Sequence, residues 1–371
     1  MTGRVENGKG RILGNDSGIA LFLVLWVLML LSVIVGEFCH AMRTETNVTR
    51  NYKEQAQAYY IALAGLHRAV AELVQDRASG GKTVVIEEGV DITKSVSNKK
   101  AVKEEEVPVE ASNWRINAEI PPEAFGAGRF HVRIGNESGK VNLNEANESV
   151  LKMLLAAFDL DEKEKDILVD SILDWRDTNN LHRLNGAEDD FYRSLKNPYE
   201  CKDGDFDTVE ELLLVRGVTE ELFYGGLDEM VTLVKDVRSS TRARRPKTKQ
   251  STQVSGSQKI NVNAASPRML RVLPGMTEEA VEAIVEYRRE ADLESLNDLV
   301  SVVGADTAAM VEPLITFQPS PYYTVEAVGM VNDTPIRQGI EVLVQIDGRQ
   351  KTGYRILQWR DRLRQKVANE R

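Results

Sequence analysis

One uncharged segment, residues 18–36, constrains this chain more than any other part of its sequence. It reads GIALFLVLWVLMLLSVIVG, and a helix of its roughly 18 apolar residues is about 27 Å long, close to the hydrocarbon thickness of a bilayer. No soluble domain requires such a stretch. The segment therefore predicts a membrane-spanning helix to which the rest of the chain is attached.

The flanks of this segment indicate which kind of membrane segment it is. Residues 1–18 are short, polar and contain three basic residues, and they end at Gly18 directly before the apolar run. Residues 36–42 offer neither the A-x-A pattern that signal peptidase requires nor a lipobox. This is the layout of a type IV prepilin leader, cut between Gly18 and Ile19, with the N-terminus in the cytoplasm. An anchor that is never cut is the alternative.

Composition narrows the class of protein. With 371 residues, 42% of them hydrophobic and 28% charged, the chain is long enough for two or three folded domains. A net charge of −10 argues against general nucleic-acid binding. Two cysteines, Cys39 and Cys201, provide no disulfide framework, so free thiols are expected, with a bridge between them as the alternative.

No enzyme motif is recognisable. The four histidines are scattered, and residues 80–83 imitate a phosphate loop without its first glycine, since Asp76 stands there. The sequence therefore predicts a protein that is not an enzyme and that takes no small-molecule substrate.

Helical periodicity continues past Gly36 to about Gln75 without a proline. A single helix of this length would be about 85 Å long, so its second half is expected to pack on a globular body. Two helices broken at Gly36 are the alternative. Strand-like alternation follows in residues 83–86, 114–120 and 130–134, and residues 94–106 are predicted to form a solvated loop.

Alternation returns in residues 323–327, 340–346 and 354–359, followed by a basic helical tail. Because a helical block lies between the two sets of strands, we expect a helical domain inserted into one sheet. The late strands should pair with residues 114–134.

The helical block contains an internal repeat. Residues 140–146 (KVNLNEA) match residues 259–265 (KINVNAA), residues 211–221 resemble 269–279, and residues 299–306 form a further copy. The pattern L-x-x-V/L-x-G-Φ-T is typical of helix-hairpin-helix units, where glycine makes the turn and Thr or Asp caps the next helix. Thr219, Thr277 and Asp306 replace the second glycine that DNA-binding hairpins use near phosphate, so the hairpins are predicted to be structural.

Residues 238–258 between the two units are basic and read as a flexible linker. A membrane-tethered helix-hairpin-helix protein that binds DNA, for instance in uptake, is the alternative function.

These motifs together resemble general secretion pathway protein K, the large minor pseudopilin family of bacterial type II secretion. The resemblance rests on the leader, the apolar helix, residues 140–146, Asp174-Trp175 with residues 185–190, residues 211–219 and residues 259–279. It implies an α+β fold in which a type IV pilin-like helix packs on an antiparallel sheet that carries inserted, duplicated SAM-like or helix-hairpin-helix units.

The resemblance also implies a function. It implies processing and N-methylation by a prepilin peptidase, an inner-membrane anchor with the bulk in the periplasm, and assembly with minor pseudopilins I and J at the pseudopilus tip, supporting export of folded proteins. Most pilin-like chains carry glutamate at the fifth mature position, where this chain has Leu23. A tip subunit has no neighbour above it, and an unpaired carboxylate in hydrocarbon is costly, so Leu23 suits that place.

The expected domain boundaries follow from these patterns. They are the leader 1–18, the helix 19–77 with its span at 19–36, the sheet 78–138 and 319–359, the first helical unit 139–237, the linker 238–258, the second helical unit 259–318 and the tail 360–371.

Oxygen-rich side chains cluster in the first unit. Asp174 and Asp177 can share one helix face, and the following loop adds Asn179, Glu188, Asp189 and Asp190. Hard oxygen ligands on such a segment suit calcium, which the resemblance also implies.

A weaker second group contains Asp203, Asp205 and Asp207. It fails the EF-hand pattern because Thr208 replaces the glycine and Leu214 the glutamate, and a helix cap from Asp207 and Glu210 is the alternative.

Overall fold

The computed structural model describes residues 16–79, 114–118, 120–235 and 259–362. The expected strand 83–86, the loop 94–106, the linker 238–258 and most of the leader and tail lie outside these residues. The chain forms two compact units, residues 1–57 and 58–371, which are considered separately.

Helices and strands alternate along the chain in blocks. The helices are α1 (Asp16–Ser79), α2 (Glu148–Leu155), α3 (Glu162–Arg176), α4 (Asp189–Arg193), α5 (Glu220–Leu222), α6 (Asp228–Met230), α7 (Pro267–Arg271), α8 (Glu278–Glu290), α9 (Leu296–Val303) and α10 (Ala305–Val311). The strands are β1 (Glu123–Phe125), β2 (Gly128–Asn136), β3 (Val141–Asn142), β4 (Val231–Thr232), β5 (Ile260–Asn261), β6 (Ile315–Thr316), β7 (Tyr322–Val331), β8 (Arg337–Ile346) and β9 (Tyr354–Arg362).

The first unit contains the apolar part of α1. Among the described residues one helix, Ala20–Arg77, is long and apolar enough to cross a membrane, and its most apolar window has a mean hydropathy of 2.6 with none of it buried. The helix continues through Gly36, so the alternative of two helices broken there is wrong.

In the second unit, the remaining part of α1 packs on one face of an antiparallel sheet with strand order β1-β2-β7-β8-β9. Burial alternates along β2, as its period-two pattern predicts. The core joins helix residues such as Ala62 and Leu66 to strand residues such as Ile134 and Val342. Gly329 allows the close approach, because a Cβ there would lie 2.0 Å from the carbonyl oxygen of Ala58. The α+β class is confirmed.

The predicted pairing of early and late strands is confirmed for β2, which pairs with β7. The predicted strand at residues 114–120 is wrong for the residues described there. Asn117 has φ 56°, which ends an extended run, and its amide donates to Ile134 O at 2.8 Å. Its side chain donates to Ala264 O at 2.9 Å, so this segment contacts the second helical unit instead.

Both helical units are built on one plan. Each begins with a short strand and ends with another that pairs with it in parallel, β3 with β4 and β5 with β6. In the first helical unit, the side chain of Asn144 forms two hydrogen bonds with the backbone of Phe206 (2.8 and 3.0 Å). In the second, Asn263 does the same with Leu293 (2.9 and 2.8 Å).

In each helical unit, an arginine near the end of a helix, α3 or α8, donates hydrogen bonds to the repeated motif. Arg176 of α3 donates to the carbonyl oxygens of Leu143 and Ala146. Arg288 of α8 donates to Ala265 O at 2.8 Å. The repeated K-Φ-N-Φ-N-x-A sequence is therefore fixed by equivalent contacts in both units.

The structure corrects the alignment of the second repeated motif. Residues 211–219 correspond to 298–306, because Glu211 accepts from the Thr208 amide (3.1 Å) as Asp298 accepts from the Ser295 amide (2.8 Å). Residues 269–279 instead run from α7 into α8, the place that α2 and α3 take in the first unit. The alternative of a helix cap from Asp207 and Glu210 is likewise wrong, since the capping box is formed by Thr208 and Glu211.

The hairpin turns have the expected glycines, with φ of +88° at Gly217 and +75° at Gly275. The hydroxyl oxygens of Thr219 and Thr277 accept from the amides of Leu222 and Ala280 and so cap α5 and α8. These threonines hold the protein's own backbone, as the structural interpretation of the hairpins requires.

Asp306 is not a cap, contrary to the prediction, because α10 begins at Ala305 and Gly304 precedes it. The aspartate therefore lies inside the first helical turn.

The first helical unit contains an insertion that the second helical unit lacks. In the second unit Leu293 follows closely on the end of α8, whereas in the first the equivalent Phe206 follows α3 only after residues 177–205. This insertion carries α4 and most of the acidic residues predicted to bind calcium.

Candidate metal centre

The last turn of α3 anchors the insertion through Asp174, which is fully buried. Asp174 Oδ2 accepts from the Arg183 amide at 3.0 Å, and the Arg183 guanidinium bonds both Asp174 Oδ1 and, at 2.8 Å, Asp177 Oδ2. Gly186 must lack a side chain, because a Cβ there would lie 1.8 Å from Asp174 Oδ2. The two aspartates predicted as ligands are therefore bonded to arginine.

Asp170 helps to position the insertion, and the sequence interpretation did not single it out. Its Oδ2 accepts from the amide and side chain of Asn185 at 3.0 and 3.2 Å, and Arg216 donates to Gly186 O at 2.9 Å. Its spacing of four from Asp174 places both on one face of α3, which is the signal that could have identified it.

A cluster forms deeper in the insertion from Glu188, Cys201 and Asp203, whose potential ligand atoms all lie within 4.8 Å of one another. Glu188 is only 1% exposed, and neither of its carboxylate oxygens has a hydrogen-bond donor from nitrogen or oxygen. Asp203 Oδ1 is also buried without a donor. We call these three residues the acidic centre; it joins one residue from each of the two predicted ligand groups.

Electrostatics in the acidic centre favour a bound cation. Burial raises the pKa of Glu188 to about 7, and the negative charges of Asp174, Asp203 and Asp177 add to the shift. Burial likewise raises the pKa of the Cys201 thiol to about 12. Excess negative charge and unpartnered oxygens in a buried place are what a divalent cation would relieve, so the residues present fit one.

The other predicted loop ligands lie outside the acidic centre. Asp189 Oδ1 accepts from the Cys201 amide at 2.9 Å and its Oδ2 pairs with Arg193, so it positions the backbone of the centre. Asn179 accepts from the Leu181 amide within its own turn. Asp190 is exposed and accepts from the amide that follows it.

Asp205 and Asp207 are also not brought to Asp203. Asp205 pairs with Lys235 at 2.9 Å, and Asp207 pairs with Lys202 at 2.7 Å. The second predicted group therefore does not form as a unit among the described residues.

Both cysteines are free thiols, Cys201 buried and Cys39 exposed, as the default interpretation expected. The apolar part of α1 is a second candidate surface. Its side chains are exposed throughout, including Leu23, which is 54% exposed, so this segment is available to lipid or to another helix.

Two family sequence models match the chain. Residues 128–236 match the family described as "Type II secretion system (T2SS), protein K", and residues 255–314 match the helix-hairpin-helix motif. The first match covers β2 and the whole first helical unit with the acidic centre.

Curated relatives agree with this assignment. The chain is 21% identical over 212 residues to a putative type II secretion system protein K of Escherichia coli K12, which is 56% of this chain and 60% of that protein. It is 24% identical over 212 residues to type II secretion system protein K of Aeromonas hydrophila, 56% of this chain and 61% of that protein. The matches thus span about 60% of these relatives.

A solved structure of the GspK-GspI-GspJ complex from the type 2 secretion system of enterotoxigenic E. coli is also similar, with 16% identity and a TM-score of 0.46 over 65% of this chain and 82% of that one. The family model and the curated relatives confirm the resemblance to protein K that the motifs indicated.

Proposed function

From the confirmed resemblance to type II secretion system protein K, we propose that this chain is a minor pseudopilin. It works by assembly as a structural component at the tip of the pseudopilus and supports export of folded proteins. The match of residues 128–236 to the K family carries this proposal. The exposed apolar part of α1 supports it, because such a helix can anchor the chain before assembly and pack against other helices afterwards.

The proposed partners are minor pseudopilins I and J, and the proposed location is the inner membrane, with a cytoplasmic N-terminus and the bulk in the periplasm. The test is co-purification of I and J with the tagged full chain from detergent-extracted membranes. If neither subunit co-purifies under conditions that extract all three, the proposal fails.

The tip position can be tested through Leu23. We expect Leu23→Glu to reduce co-purification, because a carboxylate without a partner in hydrocarbon costs several kcal/mol. Leu23→Val is the matched control and should behave as wild type. Improved assembly of the glutamate variant would show that a neighbour lies above this subunit.

Processing is proposed between Gly18 and Ile19, followed by N-methylation. Mass spectrometry of the extracted protein should give a methylated Ile19 as N-terminus. Gly18→Val should leave the leader attached, whereas Gly14→Val should be processed normally. An intact Met1 in cells that contain prepilin peptidase would refute this step.

We also propose that the acidic centre holds a divalent cation, with calcium the ion expected from the sequence. Glu188 and Asp203 would hold it, and a bound ion would neutralise their buried charge and fix the insertion against α3. Binding stabilises the folded state by about 2.7 kcal/mol at 100 times the dissociation constant.

Addition of calcium to the metal-free chain should therefore raise its melting temperature. Glu188→Gln should abolish the rise, whereas Asp205→Asn, which changes an exposed carboxylate outside the centre, should retain it. An equal rise in all three proteins would place the ion elsewhere.

A further inference from the structure

A groove lies where the two helical units meet the sheet face that is turned away from α1. Its volume is about 590 Å³, within the range of about 300–1,000 Å³ that binding clefts have. We propose that this groove, the junction groove, binds the chain's own basic linker, residues 238–258, which joins the two helical units. The linker itself lies outside the described residues. This inference is independent of the proposed function and goes beyond it.

A row of charged side chains crosses the sheet and forms the floor of the junction groove. Arg133 of β2 lies opposite Glu326 of β7. Glu326 lies opposite Glu341 of β8, which in turn lies opposite Arg360 of β9. The alternate residues of these strands pack on α1, so the row lies on the other face. Arg360 also pairs with Glu210 of the first helical unit at 2.6 Å, which joins the floor to one wall.

The lining of the junction groove has an excess of negative charge. It contains three basic side chains and twice as many carboxylates, which are Glu137, Glu210, Asp228, Glu229, Glu326 and Glu341. Even with every basic group paired, as Lys140 is with Glu137 at 2.7 Å, the carboxylates remain in excess by three. A cleft lined by one sign of charge attracts and concentrates groups of the opposite sign. The groove therefore suits a cationic occupant.

The linker supplies the complementary charge. Residues 238–258 contain six basic residues, four of them arginines, and no acidic residue. A guanidinium group binds carboxylates through two parallel hydrogen bonds and also stacks on aromatic rings. Tyr224 in the groove wall is 61% exposed and offers such a ring. Carboxylates beside an exposed aromatic ring are the surroundings that arginine side chains prefer.

Both ends of the linker lie close to the junction groove. Residues 231–234 form part of one wall, and the described chain stops one residue later. Arg238 is four residues beyond Val234, so the chain length allows it to lie no more than about 14 Å away. At the other end the described chain resumes at Lys259, and Ala264 lines the groove. A segment tethered at both ends has an effective concentration in the millimolar range, so even weak ion pairs can hold it.

The first experiment is carbodiimide cross-linking of the wild-type full chain in detergent. Carbodiimide joins a lysine amine directly to a carboxylate that contacts it, and mass spectrometry identifies the joined peptides. We expect Lys247 or Lys249 to be joined to Glu210, Glu229 or Glu326. The cross-links should disappear in about 1 M salt, where the Debye length is only about 3 Å. This readout needs no variant, so it does not depend on whether a substituted chain folds.

The second experiment is limited trypsin digestion of the full chain, followed at the bond after Arg242. We expect Glu229→Gln combined with Glu326→Gln to speed this cleavage at least about threefold, because two charge pairs with the linker are lost. Glu162→Gln combined with Glu286→Gln is the matched control. Those carboxylates are 89% and 70% exposed, lie outside the groove and each pair with a nearby basic residue. The control should be cleaved at the wild-type rate.

Two results would overturn the proposal. One is cross-linking of Lys247 and Lys249 only to carboxylates outside the junction groove, or to another protein. The other is equal cleavage after Arg242 in the groove variant and in the control variant. Both experiments use the isolated chain, so their failure leaves the proposed assembly with other pseudopilins untouched.

Discussion

Asn263 in the second helical unit connects a sequence motif directly to stability. Its side chain accepts from the Leu293 amide at 2.9 Å and donates to the Leu293 carbonyl at 2.8 Å. Leu293 is fully buried. Asn263→Ala therefore leaves a buried N–H and a buried C=O without partners, each at a cost of about 1–3 kcal/mol, so we expect the free energy of unfolding to fall by about 3 kcal/mol.

The repeat provides an internal comparison. Asn144 makes the same pair of bonds with Phe206 in the first unit, but its bonds are only partly buried, so water can replace some of what Asn144→Ala removes. We expect a loss of about 1–2 kcal/mol there.

Urea unfolding of the full chain measures these differences, and hydrogen exchange of the peptide that contains Leu293 measures the local effect. We expect faster exchange of the Leu293 amide in Asn263→Ala. A loss below about 1 kcal/mol together with unchanged exchange would refute the assignment of Asn263 as the residue that fixes the motif.

Two further predictions concern Glu137, which lies between β2 and β3, and Gly186 in the insertion. Burial alone would raise the pKa of Glu137, but Lys140 and neighbouring hydroxyls outweigh the effect of burial and lower this pKa below 4.5. The stability that the Glu137 carboxylate contributes is therefore present above pH 4.5, and it is lost as the pH falls through the lowered pKa. The deficit of Glu137→Gln in urea unfolding should therefore shrink on acidification, and a constant deficit would contradict this. Gly186→Ala, which displaces Asp174, should destabilise by about 1–3 kcal/mol. Gly225→Ala, where a Cβ meets no neighbour, should be much milder; equal thermal shifts would refute the steric argument.

Periodicity predicted the fold class and much of the element order. The apolar run and its helical continuation, the alternation in β2 and β7, and the repeated motif at residues 140–146 and 259–265 were all read from neighbours in the chain. Residues 114–118 failed because one left-handed residue, Asn117, ended an alternation that looked extended. The repeat alignment failed because all the hairpins share one short pattern, and only the flanking caps show which copies correspond.

The sequence composition predicted that acidic residues concentrate in the insertion, but it did not predict which of them form the acidic centre. Acidic residues concentrated in the insertion, but the sequence could not show that Arg183 would bond Asp174 and Asp177, or that lysines would pair with Asp205 and Asp207.

The sequence by itself determined the membrane helix, the strand faces and the duplicated helical plan, because these depend on periods and local turns within short stretches. Only the tertiary structure decided that the potential ligand atoms of Glu188, Cys201 and Asp203 lie within 4.8 Å of one another, and that Asn144 and Asn263 form equivalent hydrogen bonds. Those contacts join residues that are distant in the sequence. They depend on the path of the chain between these residues, and local sequence patterns do not specify that path.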